Sequence, residues 1–234
     1  MLPGALLFDL DDTLVVFSGV TRPAWLKTCA RFAPRTGLPA DDLYERIRAH
    51  AQDYWSDPDR HRRGRLDLEQ KRRELVAETL ELAGKNDRRL AVELADHYSA
   101  LQESLIDFFP DAEDTLNHLK DRGVRMALVT NGNAKMQRRK IDRFRLDRWF
   151  GHFFVEGELG YGKPDPRVFR SALAALRADP AETWCVGDNL EWDVGGAQAC
   201  GIRGIWKDTY RKGLRNSPVT PDRVILELAE LIEE

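Results

Sequence analysis

Four short apolar runs constrain this chain more than any other feature: Ala5 to Phe8, Val124 to Thr130, Thr183 to Gly187 and Ile202 to Trp206. Each is continuous rather than alternating, the pattern of a strand covered on both faces. The first runs into Asp9, the second into Asn131 and the third into Asp188. Helical patterns separate the later runs. Ala112, Leu116 and Leu119 recur at the spacing of one helix face, and Gly123 stops them. Val168, Phe169, Ala172, Leu173 and Leu176 make a second apolar stripe. Leu228, Ala229, Leu231 and Ile232 predict a helix near the end of the chain. This alternation implies βαβ units, a parallel sheet and right-handed crossovers. A site in such a sheet lies at the carboxyl ends of its strands.

Residues 17–105 break the alternation. Leu43, Ile47 and Tyr54 mark one helix there, and Leu68, Leu75, Val76, Leu80 and Ala83 another. Pro39-Ala40-Asp41 and Asp57-Pro58-Asp59 read as turns or helix starts. The expected organisation is therefore a sheet-based core of residues 1–16 and 106–234, with a helical subdomain inserted at 17–105. A chain of 234 residues has room for both.

Composition narrows the partners. With 36 basic and 39 acidic residues the net charge is −3, so nothing points to nucleic acid or a membrane surface. No apolar run approaches membrane-spanning length, and the first is too short for a signal peptide. The three cysteines, Cys29, Cys185 and Cys200, have no metal-ligand spacing and form no even set. A cytoplasmic location follows.

The chemistry-bearing groups sit where the runs end. Phe8-Asp9-Leu10-Asp11-Asp12-Thr13-Leu14 delivers two carboxylates, one residue apart, into a turn. In isolation this is as well read as a solvated acidic turn. Val129-Thr130-Asn131-Gly132 offers hydrogen-bond donors suited to phosphate oxygens, although Thr-Asn-Gly alone is a common plain turn. Gly162-Lys163-Pro164-Asp165-Pro166 sets a lysine at a helix entry, with Asp165 able to cap it. Val186-Gly187-Asp188-Asn189-Leu190-Glu191-Trp192-Asp193 places two aspartates five residues apart, suited to one magnesium ligand and one outer partner. Joint occurrence in this order makes coincidence improbable.

Together these segments resemble the four motifs of the haloacid dehalogenase superfamily, in sequence order and over nearly the whole chain. The resemblance implies an α/β fold: a Rossmann-like parallel sheet core with an inserted all-helical cap. It further implies that Asp9 is the nucleophile and a Mg²⁺ ligand. Asp11 would be general acid and base, with its backbone carbonyl on the metal. Thr13 would support the loop. Thr130, Asn131 (through its N–H) and Lys163 would bind the phosphoryl group, Asp188 would be the third metal ligand, and Asp193 would orient metal waters or Lys163. Magnesium and Lys163 would cancel the repulsion between a carboxylate nucleophile and a phosphate dianion.

Caps of this family enter at one of two places, and Thr130 and Lys163, only 33 positions apart, leave no room for a large one there. The insertion at 17–105 therefore resembles the first type, hinged near Val16 to Gly19 and Leu105 to Pro110. Such caps favour small soluble substrates. Within it, His61-Arg62-Arg63-Gly64-Arg65 and Lys71-Arg72-Arg73 read first as a solvated face, and second as a source of one arginine for an anionic leaving group. The tryptophans default to packing, with Trp25 and Trp55 the candidates for lining a pocket. The expected function is a magnesium-dependent phosphatase acting on a small phosphorylated metabolite, such as a sugar phosphate or nucleotide monophosphate. The expected assembly is a monomer or homodimer. Alternatives are a 2-haloacid dehalogenase using Asp9, a phosphonatase or phosphomutase, and a non-catalytic metabolite-binding protein. Dehalogenases of the family lack an aspartate at the place of Asp11, which favours the phosphatase.

Overall fold

The computed structural model describes residues 2–214 and 217–232. It divides into two compact units, one holding the chain up to Val16 and from Asp107 onward, the other Phe17–Ile106.

The first unit is built on a six-stranded sheet. Its strands are β1 (Ala5–Phe8), β2 (Arg125–Thr130), β3 (His152–Val155), β4 (Thr183–Gly187), β5 (Arg203–Lys207) and β6 (Arg223–Ile225). The order is β3-β2-β1-β4-β5-β6, and every pairing is parallel. Neighbouring β1, β2 and β4 are in register: Phe8 lies opposite both Leu128 and Val186. Their polar successors thus emerge side by side. Because β2 and β4 flank β1 on opposite sides, the strand order reverses at β1, the place where such sheets open a ligand crevice.

Helices α6 (Ala112–Asp121), α7 (Ala134–Arg143), α8 (Glu156–Leu159), α9 (Pro166–Leu176) and α10 (Gly196–Gln198) complete this unit. Asp165 accepts a hydrogen bond from the Arg167 N–H and caps α9. The apolar stripe of α9 then seats Val168, Phe169 and Ala172 against Ala5, Leu7, Ala127, Val129 and Cys185 of the sheet. Burying a side chain the size of Phe169 stabilises the fold by about 1.5–3 kcal/mol.

The second unit is wholly helical among its described elements: α1 (Ser18–Thr36), α2 (Ala40–Ser56), α3 (Pro58–Gly64), α4 (Leu68–Leu82) and α5 (Arg88–Leu105). Asp57 caps α3 and Asp87 caps α5, while α1 closes on Gly37 in the left-handed region. Cys29, Phe32, Leu43, Ile47, Val76, Leu80, Leu90 and Leu94 form its core.

Two strands and one helix differ from expectation. The sequence pattern does not announce β3 or β6. At the chain's end, Leu228–Leu231 is a single 3₁₀ turn, closed by a Glu227–Glu230 capping box, rather than an extended helix. No helix among the described residues is long and apolar enough to cross a membrane.

Candidate active site

Beyond β1 the chain must turn sharply, and its hydrogen bonds show how. Leu14 and Val15 N–H both donate to the Leu10 carbonyl, and Asp12 N–H donates to that of Val15 at 2.7 Å. Asp12 sits at φ 61°, a conformation that aspartate tolerates better than most residues. The returning chain fixes the turn, because Phe109 N–H donates to Leu14 and Val16 N–H to Asp107.

Asp9 thereby enters the crevice with 8% of its surface exposed. Its Oδ2 accepts from Thr13 Oγ1 at 2.9 Å, and its Oδ1 from Lys163 Nζ at 2.6 Å. Lys163, 2% exposed, also lies 2.6 Å from Asp193 Oδ1. Asn131 sets the lysine's backbone: its Oδ1 accepts from Lys163 N–H at 2.8 Å and its Nδ2 donates to the Lys163 carbonyl at 2.7 Å. Thr130, also buried, is held through Gln137, whose Nε2 donates to the Thr130 hydroxyl at 2.8 Å.

Residues after β4 fold back on themselves. Asn189 caps a π-helical turn, Leu190–Gly195, by accepting from the Glu191 and Trp192 N–H groups. Asp193 closes the turn by accepting from Asn189 N–H at 2.9 Å. This is why aspartates five positions apart meet. A Cβ at Gly187 would overlap the Asp193 carboxyl, so glycine is required there. Trp206 Nε1 pins the Asp188 carbonyl at 2.8 Å.

Carboxylate oxygens of Asp9, Asp188 and Asp193 lie within 4.8 Å of one another. Burial pushes the Asp9 carboxyl up to about 7, against the opposing pull of the Lys163 ammonium and with smaller upward contributions from Asp193 and Asp11. Burial and the neighbouring Asp9 and Asp193 push Asp188 up to about 8. Burial pulls Lys163 down, but Asp193 and Asp9 outweigh it and hold the ammonium above its usual range. Lys212 Nζ, 3.8 Å from Asp188, is a more distant cation. A buried, oxygen-only cluster with excess negative charge fits a hard divalent cation.

The structure thus brings Asp9, Thr13, Lys163, Asp188 and Asp193 together, with Thr130 and Asn131 tied to them. The Asp11 carboxylate is engaged elsewhere. Both its oxygens lie 2.6 Å from Lys140 Nζ, and Gln137 Nε2 donates to Oδ2 at 3.0 Å. Sequence reasoning misses Gln137 and Lys140, and also Tyr210, whose hydroxyl donates to Asp12 at 2.9 Å. One signal for the first pair exists: two polar residues three apart share a helix face, just after the strand that ends in Thr130.

In the helical unit, Arg62 pairs with Asp59 on the surface and Arg73 with Asp96. The one arginine buried there is Arg72, which donates to Ser99 and Gln102 and stacks over Tyr98. Trp25 stacks on the same tyrosine, with ring centroids 3.7 Å apart.

The family model of haloacid dehalogenase-like hydrolases matches residues 3–201. The chain is 38% identical over 162 residues to a phosphoserine phosphatase of Thermus thermophilus, covering 68% of this chain and 63% of that one. It is 32% identical over 236 residues to a glyceraldehyde 3-phosphate phosphatase of Pyrococcus furiosus, covering 97% of this chain and 91% of that one. A solved 2-haloacid dehalogenase from Pseudomonas syringae superposes with TM-score 0.65 at 31% identity, covering 99% of this chain and 97% of the other.

Proposed function

The chain belongs to the haloacid dehalogenase-like hydrolases and is a phosphoric monoester hydrolase, and we propose that it uses magnesium and an aspartyl-phosphate intermediate to cleave a small metabolite's ester. The observation that carries this reading is the buried Lys163, set between Asp9 and Asp193 beside Asp188 at the ends of two adjacent strands. Asp9, Asp188 and the Asp11 carbonyl are the residues to hold the ion, with Asp193 orienting Lys163 and the ion's waters. When bound, magnesium offsets the charge of the phosphate and of the attacking carboxylate.

Asp9 attacks phosphorus as the bond to the ester oxygen breaks. Asp11 gives its proton to that oxygen, so alcohol leaves rather than alkoxide. Water then attacks the aspartyl-phosphate and passes a proton to Asp11. The P–O bond to Asp9 breaks, returning its carboxylate and releasing inorganic phosphate. Thr13 and Lys163 hold the two oxygens of Asp9, so one faces phosphorus without rotating. Lys163, Thr130 and the Asn131 N–H take the charge of the transferring group.

The named relatives act on phosphoserine and glyceraldehyde 3-phosphate, both three-carbon esters. These head the candidate substrates, ahead of sugar phosphates and nucleotide monophosphates. Phosphate release from a panel of such esters tests the reading, with magnesium, with calcium and after chelation. Magnesium-dependent turnover of small esters is expected, with calcium a poor substitute because its longer bonds misplace Asp9. Undiminished turnover after exhaustive chelation would overturn the metal's role.

A second reading is a 2-haloacid dehalogenase, favoured by the similarity to the Pseudomonas syringae enzyme over nearly the whole chain. Asp11 speaks against it, since departing halide needs no proton.

A further inference from the structure

We propose that Lys140 and Gln137 together position Asp11 for its two proton transfers, an inference that rests on the phosphatase reading above. Asp11 follows β1, while Gln137 and Lys140 lie on α7, which begins directly after β2. Asn133 caps that helix by accepting from the Met136 N–H at 3.1 Å. The three-residue spacing then turns both side chains to one face, toward the strand ends.

Lys140 is 5% exposed, and its ammonium straddles the Asp11 carboxylate at 2.6 Å from each oxygen. The lysine is buried while the Asp11 side chain stays 25% exposed, and burying a charge for such a pair is seldom more stabilising than apolar residues of like volume, so fold stability is a weak reason for this lysine. Gln137 is 4% exposed, and its Nε2 lies 3.0 Å from Asp11 Oδ2, 2.8 Å from Thr130 Oγ1 and 2.7 Å from the Asn131 carbonyl. That nitrogen carries only two hydrogens for three acceptors. It therefore holds Asp11 against the residues proposed for phosphate, and can release one acceptor while keeping the others. Its Oε1 is buried and accepts no hydrogen bond, a cost that a purely structural glutamine would avoid.

The arrangement suits each stage. As a carboxylate, Asp11 occupies three donor contacts with its two oxygens. When it carries a proton, one oxygen becomes a donor and the other stays on Lys140, which leaves the proton directed at the ester oxygen. After transfer, the ammonium again balances the carboxylate charge. Water later returns a proton to the same oxygen as the P–O bond to Asp9 breaks. Both Lys140 and Gln137 would act through Asp11, as positioning residues.

The test is single-turnover alcohol release from an alkyl phosphate and from p-nitrophenyl phosphate, by the magnesium-loaded native enzyme and by Lys140→Met, Lys140→Arg and Gln137→Leu. Alkyl ester cleavage by Lys140→Met should slow by about 10²-fold, the lower end of the general-acid contribution. Nitrophenol needs little protonation, so its release should slow far less, with KM little changed. Lys140→Arg should restore most of the alkyl rate, which a packing defect would not allow. Gln137→Leu should show the same leaving-group dependence in smaller degree, and it carries the test if Lys140→Met does not fold. Equal slowing of both esters, a change in KM alone, or no slowing would overturn the proposal while leaving the phosphatase reading intact. Failure of the native enzyme to cleave either ester would overturn that reading and the proposal with it.

Discussion

At Asp9 a nucleophile and a metal ligand are asked of one buried carboxylate, held by Thr13 on one oxygen and Lys163 on the other. Asp9→Asn should therefore abolish ester turnover while leaving the thermal midpoint at or above that of the native protein. Residual activity above a few per cent would remove Asp9 from the nucleophile's role. Gly187→Ala tests the neighbouring turn without replacing any of the proposed site residues. Its new methyl meets the Asp193 carboxyl and must push it off Lys163 and the Asn189 N–H. Misplacement of a catalytic group by about 1 Å costs roughly 10²-fold in rate. Turnover at the native rate in this variant would mean that the position of Asp193 does not matter. Three of the four motifs are legible in the sequence because each ends an apolar run, and the fourth, at Lys163, because prolines mark a helix entry beside it. Gln137 and Lys140 are not, because they meet Asp11 across 126 and 129 residues, and only the sheet brings them there.

Among the elements, the four central strands stand out because they are almost wholly buried and their interior positions are mainly apolar. β3 lies at a sheet edge with His152 exposed, and β6 at the other edge has only three residues. Neither needs a continuous apolar run, so neither shows one. In the helical unit, α1 carries Pro23 and Pro34, which read in sequence as interruptions. The final turn stays short because it follows β6 directly and Arg223 donates to the Glu230 carbonyl at 2.6 Å. Helix α9 makes the strongest energetic commitment to the sheet. Phe169→Ala should destabilise the protein by about 3–5 kcal/mol in denaturant unfolding. A change of the size of a surface substitution, within about 0.5 kcal/mol, would contradict the packing described.

For the whole molecule, the acidic cluster couples stability to pH and metal. Asp9 and Asp188 rise from 3.8 to about 7 and about 8 in the folded chain. Between about pH 4 and pH 8 these two groups therefore bind more protons in the native state than in the unfolded one, and their contribution to stability falls as pH rises. With metal chelated, the thermal midpoint should decline across that window. A bound divalent cation favours the ionised carboxylates, so magnesium should raise the midpoint more at pH 8 than at pH 5. A stabilisation by magnesium that is equal at both values, or larger at pH 5, would contradict the assignment of these carboxylates to the ion. The central claim is hydrolysis of phosphate esters by an aspartate nucleophile backed by an acid. It is tested most directly by measuring phosphate release from p-nitrophenyl phosphate and halide release from 2-chloropropionate with one preparation of the native, magnesium-loaded enzyme. The expected result is phosphate without halide. Halide without phosphate would contradict it and make the chain a dehalogenase.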